Sequence, residues 1–83
     1  MDARRKKLLF QSQHCGIREN DILLGRFAER HLEGFSDGQL DQFEALLEES
    51  DLDLYNWIIG KQSVPGRLNH EVMNALIKFA EEL

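Results

Sequence analysis

Apolar residues recur along this chain at intervals of three and four, and no stretch shows sustained alternation of apolar and polar positions. That spacing predicts helices and argues against strands. The first helix runs from about Ala3 to Gln13, with an apolar patch at Leu8, Leu9 and Phe10 and with Arg4 to Lys7 exposed. Gly16 ends it, since a helix terminus often needs a positive φ that glycine adopts without steric cost. The second helix runs from Ile17 or Arg18 to Glu33. Leu23, Leu24, Phe27, Ala28, His31 and Leu32 form its inward stripe, and Gly34 stops it.

The third helix has the clearest start. Ser36 and Gln39 stand at capping-box spacing, and Phe35 and Leu40 stand where a hydrophobic staple would pack. Leu40, Phe43 and Leu47 share its inner face, with Leu46 at the edge. A short fourth helix covers about Leu52 to Ile59, capped by Ser50 or Asp51 and closed by Gly60. On one reading Trp57 anchors it in the core and Tyr55 half covers it; on the other, the helix exposes an aromatic edge to a partner. The fifth helix runs from a cap at Asn69 to Leu83, with Leu68, Val72, Leu76, Phe79 and Leu83 as its stripe. The expected fold is all-α, a single small five-helix bundle forming one domain over residues 1–83. Its core draws on about fifteen to eighteen large apolar side chains.

Charge narrows the choice of partner. The chain carries net charge -5, unevenly spread. Arg4, Arg5, Lys6 and Lys7 form a basic block, while Asp37 to Asp53 holds seven acids and no Lys or Arg. An acidic face repels phosphate backbones, so nucleic acid is not an expected partner. No apolar run reaches the ~20 residues of a membrane helix, and no signal-peptide apolar region is present. No direct membrane insertion is expected, and a bacterial cytoplasmic setting is the simplest one.

The candidate chemistry is sparse. His14, Cys15, His31 and His70 show no metal-ligand spacing, so no metal is expected. Cys15 has no intramolecular partner and no oxyanion-hole signature beside it, which makes an inert thiol the plain reading. The acid pairs Glu48/Glu49 and Asp51/Asp53 read as solvated helix-end residues. No glycine-rich phosphate loop exists, and no cofactor is expected to bind stably.

The junction between the first two helices is the exception. His14-Cys15-Gly16-Ile17-Arg18-Glu19-Asn20-Asp21 packs a glycine, a thiol and several charges into one break. On one reading Gly16 is a terminator, Glu19 and Asp21 complement the positive helix end, and Arg18 is a surface charge. On the other, the turn pushes the cluster outward as a docking knob built from Cys15, Gly16, Arg18, Glu19 and Asp21.

From Arg4 to Phe79 the chain resembles the succinate dehydrogenase assembly factor 2 family, whose bacterial members are called SdhE. The resemblance lies in the basic opening, in Gly16-Ile17-Arg18-Glu19-Asn20-Asp21-Ile22-Leu23-Leu24, and in Asp53-Leu54-Tyr55-Asn56-Trp57. It implies a five-helix bundle without catalysis of its own. Such a helper binds the flavoprotein subunit of succinate dehydrogenase, and in some bacteria of fumarate reductase. It promotes covalent FAD attachment through the client's own histidine. The free factor is then a monomer, in the bacterial cytoplasm or, in a eukaryote, the mitochondrial matrix. The family signature is Arg-Gly-x-x-Glu. Gly16 and Glu19 match it, and Cys15 stands at the arginine position. Arginine makes bidentate contacts to carboxylates that a thiol does not. A module of antitoxin-like or helix-turn-helix type is the alternative from another class, and a redox sensor acting through Cys15 is a third.

Overall fold

Asp2 accepts the Arg5 N–H at 2.9 Å, and the chain turns into its first helix there. The computed structural model describes residues 1–83. Five α-helices follow in order: α1 (Ala3–Ser12), α2 (Arg18–His31), α3 (Asp37–Leu47), α4 (Asp51–Ile58) and α5 (Glu71–Glu81). Single 3-10 turns lie at Leu32–Gly34 and Gly66–Leu68, and there is no strand. The all-α expectation holds. α1 packs on α2, α3 on α5, and α2 also meets α4 and α5.

Sixteen buried residues form one core cluster, within the range the stripes predict. Phe27 sits at its centre, fully buried, with its ring 5.6 Å from Phe79 and 5.9 Å from Phe43. Trp57 is buried and Tyr55 half-buried, as the spacing on α4 suggests. The α3 stripe is turned from its predicted setting. Leu46 is fully buried, while Leu47 stays half-buried beside an open groove. Helical spacing gives the direction of each side chain, but the neighbouring helices decide which one is covered.

The caps divide in the same way. The Ser36 capping box forms as predicted, with Gln39 N–H donating to Ser36 Oγ at 3.2 Å and Ser36 N–H to Gln39 Oε1 at 2.8 Å. The cap of α5 is His70 rather than Asn69: its Nδ1 accepts the Met73 N–H at 3.1 Å. Ser50 holds the N-cap position of α4 but makes no side-chain cap bond. Gly60 has φ +79 and closes α4 in the left-handed region. Gly16 does not take a positive φ, so the reason for a glycine there is a different one.

The basic block is also not a free surface. Arg5 is half-buried, and its guanidinium donates to the carbonyls of Leu32 at 2.8 Å and Phe35 at 2.5 Å. It ties the start of α1 to the 3-10 turn that follows α2, adding a donor to the Leu32 carbonyl, which also accepts the Phe35 N–H, and satisfying the Phe35 carbonyl beyond it. Arg4 is half-buried too and pairs with Asp41 on α3, with Glu44 at 3.8 Å. Of the four cations, Lys6 and Lys7 are the exposed ones without an ion pair.

Candidate functional site

Between Ser12 and Arg18 the backbone leaves α1 and enters α2 in five residues. This break is held by acceptors from two directions. Asp21, in the first turn of α2, accepts the Cys15 N–H at 2.6 Å. Asp51, the first residue of α4, accepts the Gly16 N–H on its carboxylate at 2.6 Å. The backbone carbonyl of Asp51 also accepts from Asn20 Nδ2 at 2.9 Å. A loop of the α1–α2 hairpin is thereby tied to a helix more than thirty residues away.

Asp51 also accounts for Gly16. A Cβ at position 16 would overlap Asp51 Oδ2 and lie 3.2 Å from its Cγ. The glycine supplies space for a carboxylate at the backbone, whereas the sequence reading assigns it a special dihedral. Gly25 plays a related part on α2, where a Cβ would come within 3.1 Å of Gln13 Cγ on the facing end of α1. Two acids read as solvated are therefore engaged. Asp51 holds the corner, and Glu49 pairs with both terminal nitrogens of Arg67 at 2.9 Å, which keeps its carboxyl below the usual range.

The five residues assigned to docking do not share one role. Arg18 and Glu19 are exposed and enter none of the chain's ion pairs. Gly16 is exposed between them and α4. Asp21 is half-buried, with its carboxylate used inside the corner. Cys15 turns inward, its Sγ facing the carbonyls of Ser12 at 3.4 Å and Gln11 at 3.6 Å. Burial, with Asp21 and Asp51 nearby, pushes its thiol up to about 11. Such a thiol is a poor nucleophile at neutral pH, contrary to the redox reading.

Three features of this corner escape the sequence reading. Asn20 is fully buried, with Oδ1 unpartnered. Its position four residues before Leu24 and seven before Phe27 places it on the apolar stripe of α2, which is the signal that could have found it. Phe10, part of the apolar patch of the first helix, is 61% exposed and stacks on His14 at 4.0 Å. An open groove of about 540 Å³ runs beside the corner, with Lys7, Phe10 and His14 on one side and Glu44, Glu48 and Asp51 on the other. No three His, Cys, Asp or Glu side chains gather as a metal site, and no helix is long and apolar enough to cross a membrane.

The fold and site together define a small helical scaffold with an outward-facing polar corner tied by hydrogen bonds to two helices. Comparison with known proteins gives this class its family. The family model described as "Flavinator of succinate dehydrogenase" matches residues 6–80, and the chain belongs to that family. It is similar to "Succinate dehydrogenase assembly factor 2, mitochondrial" of Meyerozyma guilliermondii, 46% identical over 84 residues covering 96% of this chain and 62% of that protein. The protein of the same name from Dictyostelium discoideum is 44% identical over 83% of this chain and 49% of its own length. That from Danio rerio is 39% identical over 98% of this chain and 52% of its own. The chain spans about half the length of the curated relatives it matches. These relatives carry mitochondrial names and lend no support to a bacterial cytoplasmic setting.

Proposed function

We propose that this chain is a non-enzymatic assembly factor that binds the flavoprotein subunit of succinate dehydrogenase and promotes covalent attachment of FAD to it. The related flavoprotein of fumarate reductase is a second client of the same kind. The family match supports the client, and the corner supports the mode of action. The observation that carries the reading is the pairing of free side chains with a fixed backbone. Arg18 and Glu19 are unpaired and exposed, while the turn that presents them is held by Asp21, Asp51 and Asn20. A surface of this kind loses little conformational freedom on binding.

The docking surface comprises Gly16, Arg18 and Glu19, with Cys15 and Asp21 shaping it from behind. The factor holds no cofactor of its own. It acts by positioning the client's domains, so that the bond forms between the client's histidine and its flavin. The free factor is a monomer and works where its client folds, in the mitochondrial matrix or the bacterial cytoplasm.

The test is co-expression with a flavoprotein subunit in cells lacking the native factor, reading covalent flavin as fluorescence in a denaturing gel. The chain should raise that fluorescence, and Glu19→Ala should diminish the increase. Equal fluorescence with and without the chain would remove the proposal.

A further inference from the structure

The acceptors around Gly16 come from both neighbouring helices, but only Asp51 reaches it from outside the α1–α2 hairpin. We propose that Asp51 is a positioning residue, a latch that fixes the docking corner to α4 so that Gly16, Arg18 and Glu19 meet the client as one rigid piece. This deepens the assembly-factor reading and rests on it.

Three observations carry the latch. The Asp51 carboxylate accepts the Gly16 N–H at 2.6 Å, a charge-assisted bond to backbone at the tip of the turn. The carbonyl of the same residue accepts from Asn20 at 2.9 Å, in the first turn of α2, so a single residue grips both sides of the Gly16–Glu19 segment. Finally, the Asp51 carboxylate fills the space directly above Gly16. The three atoms closest to an added Cβ all belong to the Asp51 side chain, and the farthest, Asp51 Cβ, lies at 3.9 Å. Shortening Asp51 to alanine leaves that ordinary contact and removes the obstruction.

The two positions are therefore coupled in a defined sense. Gly16→Ala is harmful because it displaces the latch, and it should be nearly silent once the latch is gone. Neither Asp51 nor Asn20 needs to touch the client for this to hold. A latch changes how often the free factor presents the competent corner, which alters apparent affinity and leaves the bound complex as it was.

The experiment titrates the full chain and its variants into purified apo-flavoprotein with FAD, reading covalent flavin, with thermal melting of each variant alongside. Asp51→Ala should raise the factor concentration for half-maximal flavinylation about five- to tenfold, the equivalent of one lost hydrogen bond, with an unchanged plateau. Asp51→Val, which carries no acceptor for the Gly16 N–H, should do the same and guards against misfolding of one variant. Asp51→Asn should restore the titration, because its amide oxygen still accepts the Gly16 N–H. In the Asp51→Ala background, Gly16→Ala should lower the melting temperature by less than half of what it costs alone.

Wild-type titrations for both Asp51→Ala and Asp51→Val would overturn the latch, as would equal melting losses for Gly16→Ala with and without the carboxylate. Glu19→Ala separates this failure from that of the parent reading. If Glu19→Ala weakens flavinylation and the Asp51 variants do not, only the latch is wrong. If Glu19→Ala also titrates as wild type, the docking corner itself is misplaced.

Discussion

Phe27 is fully buried, and its ring lies 5.6–6.0 Å from those of Phe35, Phe43 and Phe79. Asp51 is half-buried and reaches Gly16 and Asn20 through two directional hydrogen bonds. The aromatic region excludes water over a large area, so it supplies most of the stability while tolerating small displacements. The polar corner exchanges bonds to water for bonds to protein, so its net contribution to stability is small. What it gains is a fixed geometry at the surface. In this molecule the region that holds the fold together and the region read as the docking surface are different regions, built on different forces.

That contrast is broken most forcefully at its apolar end. Phe27→Ala should cost about 3–5 kcal/mol in urea unfolding, enough to leave so small a domain marginal. A loss below about 1 kcal/mol would mean that the aromatic cluster is not the keystone. Gly16→Ala should cost less, about 1–2 kcal/mol from crowding of the Asp51 carboxylate, yet should weaken client docking more than its stability loss explains. Measuring both quantities on one preparation sharpens the division between fold and corner.

Ser36→Ala offers a control outside both regions. It removes the capping box of α3 and should cost about 1 kcal/mol in the same unfolding assay, with client titrations unchanged. A docking defect in this variant would show that general stability controls docking, and the comparison would collapse.

The smallest effect is on pH dependence. Burial lowers the pKa of both His31 and His70 below the ordinary value of 6.5, with Arg30 adding to the effect at His31. The unfolded chain therefore binds protons more readily than the folded one in this range. Stability should be complete above about pH 6.5 and decline as pH falls through it toward the lowered folded values. His70 has a specific reason, since its Nδ1 accepts the Met73 N–H and protonation removes that cap. Urea midpoints that stay flat or rise between pH 7.5 and 5.5 in wild type would contradict this, and His70→Asn should reduce the slope.

The two regions also differ in how well they can be read from sequence. Leu24, Phe27, Phe43, Leu76 and Phe79 declare themselves by spacing alone, because burial of a helix face needs only the right period. The Ser36 capping box is equally legible, since its partners lie three residues apart. The junction announces itself by composition, but its mechanics do not. Gly16 is paired with a residue 35 positions away, and nothing local marks Asp51 rather than Asp53 as the partner. Cys15 has an inert environment that only its inward orientation and the nearby acids create.

The chain's own pattern settles the five helices, the Ser36 and Gly60 caps, the apolar stripes and the one break in which polar chemistry concentrates. All of these depend on neighbours within about one helical turn. Only the tertiary structure decides that Arg5 ties the start of α1 to the turn that follows α2, that Leu46 and not Leu47 is sealed, and that Gly16 is a glycine to admit a carboxylate. Each of these is a meeting between segments distant in sequence. Helical periodicity says which way a side chain points, and only packing says what it meets there.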